Sequence, residues 1–251
     1  MKLALFFVAI AIISYFVGTI NFAKIIAWNA RRKDITKIGS KNPGTMNMLR
    51  SFGFGLAIST FLGEVAKAGL TCLICKLLFR FCGFPQYQEI AYFFSGFFVL
   101  MGYIFPVWSK FKGGKGVACF AGIFLFSQLW YVGIVWFLLC FAFLVVLDYG
   151  SVISFTYIGG LSTAYTIFIW LTSANIETAI FITAVIWFLY ALMLIKHRGN
   201  IHRLITHTEN KVGFKDKLEK FFKRKDKEVV VEGETTEETH AEEEIVIEEE
   251  K

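Results

Sequence analysis

Long apolar runs are the feature of this 251-residue chain that most constrains its fold. Six of them have about the length that crosses a bilayer. They lie at about 3–23, 52–79, 90–108, 117–147, 155–173 and 178–195. A soluble core of this size would not need so much continuous apolar sequence, so an all-α integral membrane protein is predicted. The first run resembles a signal peptide, but no clean A-x-A site follows, and it is interpreted as a membrane helix.

The run at 117–147 is too long for one ordinary span. Its 31 uncharged residues would form a helix of about 46 Å, against a hydrocarbon core of about 30 Å. Basic clusters at 31–50, 110–115 and 196–203 all belong on the cytoplasmic side by the positive-inside rule. An even number of crossings must then separate the second cluster from the third, which favours two short spans that turn at SQLWY (127–131) over one tilted span.

The predicted fold therefore has seven transmembrane helices, with the N-terminus outside and the C-terminus in the cytoplasm. A six-span alternative would leave one basic cluster on the outer side. The net charge of +6 divides into −10 over 228–251, where eleven Glu stand against one Lys, and +16 over the residues before it. Such an acidic end cannot bury enough apolar surface to fold and is expected to be a disordered tail.

A basic amphipathic segment is predicted between the membrane domain and this tail. Its phenylalanines and Leu218 share one helical face opposite lysines, which suits a helix on an anionic membrane surface; an ordinary charged linker is the alternative. The phenylalanines are Phe214, Phe221 and Phe222. The predicted division of the chain is 1–211 for the membrane domain, 212–227 for the amphipathic segment and 228–251 for the tail.

Four polar stretches fall on one side of the membrane in this topology: 34–50, 111–116, 148–154 and 196–211. Two of them, which contain GSKNPG and FKGGKG, lead through glycines into helices, where backbone N–H groups can approach an anion. Lys115 and Arg50 add positive charge, and arginine can bind two phosphate oxygens at once. The pattern predicts a site for one or two phosphate groups. It is not a Walker A loop, because GxxxxGK[ST] is absent.

Other polar residues have structural alternatives. The cations at 31–33 are interpreted as topology determinants, whereas Lys115 and Arg50 are interpreted as ligands. His197 and Asn200 share one helix face and can point at the same ligand, while the spacing of His197, His202 and His207 does not suit a metal. Glu64 and Lys67 lie inside an apolar run at i, i+3, and a structural ion pair is favoured slightly over a catalytic role.

These motifs resemble those of the bacterial acyl-phosphate-dependent glycerol-3-phosphate acyltransferases over about residues 14–211. The family's S-Y-x-x-G-S-I corresponds to SYFVGTI at 14–20, and its D-I-R-x-x-G-S-G-N-x-G-A-T-N-x-x-R corresponds to residues 34–50. Its F-x-G-G-K-G is FKGGKG, and its R-H-x-x-N-I-x-R-L with a later Glu is KHRGNIHRL at 196–204 followed by Glu209.

The resemblance implies transfer of a fatty acyl group from acyl phosphate to glycerol 3-phosphate, giving lysophosphatidic acid for phospholipid synthesis. It implies a multi-pass enzyme of the bacterial cytoplasmic membrane with its site on the cytoplasmic face, among membrane lipids, and with no cofactor, metal or nucleic acid. The donor's own phosphate is expected to take the hydroxyl proton. The catalytic residues carried over are Ser40, Arg50, Lys115, His197 and Asn200. The substrate-binding residues are Asn42, Gly44, Thr45, Asn47, Gly113, Gly114, Gly116 and Ser154, with Ser154 preferred to Ser151.

The sequence departs from the family pattern at several positions. Tyr103 replaces a histidine, Glu64 an aspartate, Lys41 a glycine and Lys196 an arginine. Tyrosine cannot do a histidine's acid–base work near neutral pH. Two alternatives therefore stay open: the same reaction on another phosphorylated acceptor, and a non-catalytic protein that binds or transports phospholipid. A transporter would be expected to show internal repeats around a midplane site, and no repeat is visible in the sequence.

Overall fold

The structure is a computed structural model that describes residues 1–214 and residue 219. The described residues are about 80% helical and contain no strand, as the all-α prediction requires. Their α-helices are α1 (Lys2–Thr19), α2 (Phe22–Arg31), α3 (Thr45–Phe52), α4 (Phe54–Phe81), α5 (Gln88–Ile104), α6 (Val117–Leu125), α7 (Trp130–Leu147), α8 (Gly150–Thr172), α9 (Ile176–Lys196) and α10 (Arg198–Ile205). Short 3₁₀ turns lie at Ile35–Lys37, Pro85–Tyr87 and Val107–Ser109.

Five helical stretches in the described part of the chain are long and apolar enough to cross a membrane. They are Lys2–Arg31, Pro85–Ser109, Trp130–Leu147, Gly150–Thr172 and Ile176–Lys196. Helix α4 has 28 residues, but its Glu and Lys side chains lower its hydropathy. Helix α6 has only nine residues and is therefore about 14 Å long. Outward side chains of α7 are apolar, with Leu138 59% exposed, as expected for a surface that faces lipid.

The predicted break in the 117–147 run is confirmed, since α6 ends at Leu125 and α7 begins at Trp130. The Ser127 hydroxyl donates to the carbonyl of Phe124 (2.6 Å) and accepts from the Leu129 N–H (3.3 Å), which closes the turn. Gln128 donates to Glu89 at the start of α5 (2.9 Å), so this turn lies far from the end of α5. Helices α6 and α7 thus form a hairpin whose open end faces the polar stretches.

The buried pair Glu64–Lys67 holds the junction between α1 and α2. The Lys67 Nζ donates to Glu64 Oε2 (2.6 Å) and to the carbonyls of Gly18 (3.3 Å) and Ile20 (2.5 Å). The other Glu64 oxygen accepts from the N–H of Phe22 (2.8 Å). The pair therefore satisfies backbone groups that end one helix and begin the next, as the structural interpretation predicted.

Helix α1 packs closely on α5 through glycine. A Cβ on Gly18 would lie 2.2 Å from the Val99 carbonyl oxygen, and one on Gly102 would lie 2.0 Å from that of Tyr15. Small residues at such contacts let membrane helices approach closely. The main core lies along α4, α5, α6, α8 and α9. A second cluster surrounds α2, α3, the start of α4 and the end of α7, and it includes Val212 and Phe214.

Residues 209–214, the C-terminal strap, return from α10 to the end of α7. The N–H of Val212 donates to the Asp148 carbonyl (2.9 Å), and those of Gly213 and Phe214 donate to the Asp148 carboxylate (3.1 Å each). The Phe214 side chain is 2% exposed and packs inside the protein. Its predicted place on a membrane-surface helix is therefore wrong, because the tie to Asp148 turns it inward. Leu218, Phe221, Phe222 and the acidic tail lie outside the described residues.

Candidate active site

The four polar stretches meet at one end of the helices, around a cavity of about 410 Å³. The Lys115 ammonium donates to the Asn200 side chain, the Ser151 hydroxyl to Glu209 (3.1 Å), and the Arg50 guanidinium to the Asn210 carbonyl (3.1 Å). Eleven of the thirteen predicted site residues line this cavity. They are Ser40, Asn42, Gly44, Thr45, Asn47, Arg50, Lys115, Gly116, Ser154, His197 and Asn200.

The first loop is shaped by Asn47. This side chain is 1% exposed; its Oδ1 accepts from the Ser40 N–H (2.9 Å), and its Nδ2 donates to the carbonyls of Ile38 (2.9 Å) and Ile35 (3.2 Å). Gly39 has φ +57°, and a Cβ there would lie 2.4 Å from Asn47 Oδ1. Asn47 lines the cavity, but its hydrogen bonds hold the backbone of Ser40 in place.

Helices α3, α6, α8 and α10 begin at the cavity. None of them has a side-chain N-cap within the described part of the chain. Elsewhere α2 and α9 are capped by Asn21 and Asn175, while α1, α4, α5 and α7 also lack a side-chain cap. The first backbone N–H groups of a helix have no intrahelical partner, and the helix dipole makes them favourable for an anion. Four uncapped helix starts around one cavity therefore favour ligands with several anionic oxygens.

The cationic side chains add to this preference. Burial lowers the pKa of Lys115 to about 8; the nearby Glu209 opposes this shift, while Arg203 and Arg50 reinforce it. Burial also lowers the pKa of Arg50 below its ordinary value. Positive charges that are desolvated and close to one another gain when an anion binds between them. The Arg50 Nε and the Thr45 hydroxyl are buried and have no hydrogen-bond partner among the described residues, so both atoms are available to a polar ligand.

Glu209 is the centre of the hydrogen-bond network at the cavity, and it was not among the predicted site residues. It is 8% exposed and accepts from Asn200 (2.6 Å), Arg203 (2.8 Å) and Ser151 (3.1 Å). Burial alone would raise its pKa, but the hydrogen bonds from Asn200 and Arg203 outweigh burial and lower it. The sequence signal for Glu209 was the acidic residue that follows the last motif.

The two serines at the start of α8 differ in their contacts. Ser151 joins the network through Glu209, whereas the Ser154 hydroxyl donates to the Gly150 carbonyl of its own helix (2.8 Å). Both line the cavity. Both hydroxyl hydrogens are already donated, and the difference is that Ser151 is tied to the Glu209 network whereas Ser154 is tied to its own helix.

His197 lies between the cations and the end of α9. It is 2% exposed, and its Nδ1 contacts the Met193 carbonyl (2.8 Å). A carbonyl can only accept, so Nδ1 carries the hydrogen and Nε2 is left as an acceptor. Burial and then the charge of Lys115 lower the pKa of His197 to about 4. The imidazole is therefore neutral at physiological pH.

Gly113 and Gly114 do not line the cavity. A Cβ on Gly113 would lie 2.0 Å from the Tyr103 carbonyl oxygen, and one on Gly114 would lie 2.5 Å from the Tyr103 ring. The two glycines thus let the loop pack against the end of α5, and this packing brings Lys115 to the cavity. Tyr103, in turn, donates its hydroxyl to the Pro43 carbonyl (2.9 Å) and fastens the first loop.

The inner half of the cavity is largely apolar. On α4 its lining runs from Phe54 to Phe61 and on α7 from Leu144 to Phe137, and α8 adds Ile153 and Tyr157. The Tyr157 hydroxyl is the polar exception, and it has no hydrogen-bond partner among the described residues. The cavity thus combines a cationic end at the helix termini with an apolar end among the helices. Its shape fits an amphiphile whose charged group lies beside Lys115 and Arg50.

Comparisons with known proteins agree with this chemistry. The family model for glycerol-3-phosphate acyltransferase matches residues 8–207. A relative with that name from Bartonella henselae is 33% identical over 213 residues, which cover 81% of this chain and 90% of the relative. Another from Bradyrhizobium sp. is 36% identical over 208 residues, covering 81% and 94%.

Two solved structures are also similar. One is the crystal structure of PlsY (YgiH), an integral membrane glycerol 3-phosphate acyltransferase, in its glycerol 3-phosphate form; it has a TM-score of 0.66 and 26% identity, over 82% of this chain and 94% of that one. The lysophosphatidic acid form of the same enzyme has a TM-score of 0.64 and 25% identity, with the same coverage.

Proposed function

Because the chain belongs to the glycerol-3-phosphate acyltransferase family, we propose that its cavity transfers a fatty acyl group from acyl phosphate to glycerol 3-phosphate. The protein is a membrane glycerol-3-phosphate acyltransferase of phospholipid synthesis. The observation that carries the proposed donor and site is the two-part cavity. A phosphorylated acyl donor needs an anion site joined to an apolar channel, and glycerol 3-phosphate needs a second set of phosphate ligands.

The substrates are assigned to the two halves of the cavity by charge. The phosphate groups lie among the uncapped starts of α3, α6, α8 and α10, beside Arg50 and Lys115. The acyl chain lies between α4, α7 and α8. Ser40, Asn42 and the backbone around Gly44 and Thr45 face the same space. Asn200 is held by both Lys115 and Glu209, so its position relative to the bound phosphates is fixed.

The reaction is an acyl transfer between oxygens. A glycerol 3-phosphate hydroxyl attacks the acyl carbonyl carbon, a new ester C–O bond forms, and the C–O bond to phosphate breaks. The departing phosphate takes the hydroxyl proton, so lysophosphatidic acid and inorganic phosphate are the products. Proximity and stabilisation of the phosphate charges are the main contributions required of the protein.

The protonation states of the site support this route for the proton. His197 has a pKa near 4 and is too weak a base to take a proton from an alcohol, but its neutral Nε2 can accept a hydrogen bond and orient the hydroxyl. The Glu209 carboxylate has a lowered pKa and already accepts three hydrogen bonds, so it is a weak base as well. The phosphate of the donor is the stronger candidate base.

The proposed topology has seven transmembrane helices, with the N-terminus outside and the site on the cytoplasmic face of the bacterial cytoplasmic membrane. The basic clusters around the cavity support this orientation. The hairpin of α6 and α7 supports the even number of crossings. In this arrangement α4 crosses despite its charges, because Glu64 and Lys67 are paired and buried within the protein.

Purified protein in lipid–detergent micelles tests the proposed reaction. Palmitoyl phosphate and glycerol 3-phosphate should yield lysophosphatidic acid and phosphate in equal amounts, whereas palmitoyl-CoA should yield none. Turnover with palmitoyl-CoA alone would reject the proposed donor. A panel of polyol phosphates tests the alternative acceptor, and binding of acyl phosphate without any product would favour the non-catalytic alternative.

A further inference from the structure

The C-terminal strap carries an aromatic side chain into the inner half of the cavity. Phe214 lies beyond the residues that match the family model, which end at 207, yet it lines the cavity and is almost fully buried. Its backbone N–H and that of Gly213 donate to the two carboxylate oxygens of Asp148. Gly213 has φ +65°, a conformation that favours glycine, and it turns the chain toward Asp148.

Phe214 fills a gap between two helices. Helix α4 packs on α1, α2, α3, α5 and α6, and α7 packs on α6 and α8; α4 and α7 meet through aromatic rings at two levels. Deep in the cavity Phe61 stacks on Phe137, with centroids 5.2 Å apart. Near the polar end the Phe214 ring stands between Phe54 and Phe141, with centroids 6.1 and 5.0 Å apart.

The two levels are separated along the helices. Phe54 and Phe61 are two turns apart on α4, a rise of about 10 Å. The level of Phe214, near the polar end, adjoins the residues that bind the phosphates in the proposed function. The strap that carries Phe214 also carries Glu209 and Asn210, which belong to the polar end. An acyl chain that leaves the reacting carbonyl therefore passes Phe214 before it reaches Phe61 and Phe137.

We propose that Phe214 is a specificity-determining residue for the acyl donor, and that Asp148 is the positioning residue that holds it there. Phe214 completes the wall against which the first part of the acyl chain packs. This inference rests on the proposed function, because it assumes that the apolar half of the cavity receives the acyl chain. It predicts that Phe214 contributes to the binding of donors with a long acyl chain and not to the binding of a donor without one.

The test compares three donors: acetyl, octanoyl and palmitoyl phosphate. Phe214→Ala should raise KM for octanoyl and palmitoyl phosphate by about tenfold, the effect of losing part of a buried phenylalanine contact. KM for acetyl phosphate and KM for glycerol 3-phosphate should be unchanged. Phe137→Ala, at the deep level, should raise KM for palmitoyl phosphate more than for octanoyl phosphate. Asp148→Ala should change KM in the same direction as Phe214→Ala, but less.

A matched control separates specificity from stability. Phe79 is a fully buried ring of α4 at the far end, packed on Phe6 and Phe7. Phe79→Ala should lower the unfolding temperature without changing the ratios of KM among the donors. If Phe214→Ala does not fold, Phe214→Leu and Phe79→Leu make the same comparison with smaller changes.

Two results would overturn the inference: KM values for all three donors that are unchanged in Phe214→Ala, or a rise in KM that is the same for acetyl and palmitoyl phosphate. Wild-type protein that makes no product from any of the three donors would instead reject the proposed function.

Discussion

Two buried clusters of this protein each pair a lysine with a glutamate, and they differ in what surrounds them. At Glu64–Lys67 the charges balance, and the remaining hydrogen bonds link the pair to backbone groups at the α1–α2 junction and to the Cys119 thiol. At the cavity, Lys115 is linked to Glu209 through Asn200, but Arg50 and Arg203 add further positive charge, and the Arg50 Nε is left without a partner among the described residues.

The difference separates a structural cluster from a binding site. In the first cluster every group has a protein partner, so removing one member leaves a buried charge with nothing to replace it. In the second, the protein supplies more positive charge and more N–H donors than it can satisfy, and this excess favours an anionic ligand. Burial and charge alone would not distinguish the two; the number of unsatisfied groups does.

The largest effect on stability is expected at the structural cluster. Lys67→Met should lower the free energy of unfolding by about 3–5 kcal/mol, because it leaves the Glu64 carboxylate buried and unpaired. The double variant Glu64→Leu with Lys67→Met should recover much of this loss. Unfolding of the purified proteins in the same detergent provides the measurement. A single variant as stable as wild type would show that the Glu64–Lys67 pair does not stabilise the fold.

The cavity cluster should respond in activity instead. Lys115→Ala and Arg50→Ala should each lower kcat/KM by about 10²–10³-fold, the effect of removing a preorganised positive charge from a reacting oxyanion. Neither should lower the unfolding temperature as Lys67→Met does, because each removes a desolvated cation that is surrounded by other cations. The control is Lys112→Ala, an exposed lysine of the same loop, which should keep full activity. Full turnover by the Lys115 and Arg50 variants would contradict the site assignment.

The dependence of activity on pH sharpens the same contrast. The pKa of Lys115 is lowered to about 8, so its ammonium is charged below that pH and neutral above it. If the phosphates bind the charged form, kcat/KM should fall as the pH rises through 8 and be about tenfold lower at pH 9 than near neutrality. Lys115→Arg should extend the plateau to higher pH, since arginine stays charged. A wild-type profile that is flat between pH 7 and 9, after subtraction of spontaneous acyl phosphate hydrolysis, would contradict this prediction.

The sequence was most informative where the signal is local or is imposed by the membrane. Apolar length predicted the helices, and the distribution of basic residues predicted the break at 126–129, because both depend on the bilayer rather than on distant contacts. Most of the predicted site residues also line the cavity, since glycine, hydroxyl and cationic side chains were clustered in short stretches.

The parts that the sequence did not predict depend on contacts between distant segments. Glu209 is reached only after the turn that follows α10, so helical spacing from Asn200 could not place it beside Ser151. Gly113 and Gly114 looked like ligand-facing glycines, and only the fold shows that the Tyr103 ring occupies the space beside them. Phe214 fitted an amphipathic pattern, but a helical wheel does not include the carboxylate of Asp148, which redirects the strap inward.

The smallest effect is expected at Lys41, a third kind of charge that has no ion-pair partner among the described residues and does not line the cavity. It is exposed and adopts φ +59°, where a side chain is strained and glycine is at ease. Lys41→Gly should therefore change the free energy of unfolding by no more than about 1 kcal/mol, with relief of strain offset by the greater freedom of glycine in the unfolded chain. KM for glycerol 3-phosphate should stay the same, because the Lys41 side chain does not line the site. A clear change in that KM, or in the preference among polyol phosphates, would show that Lys41 reaches the acceptor. A positive charge outside the two buried clusters would then belong to the residues that bind the acceptor.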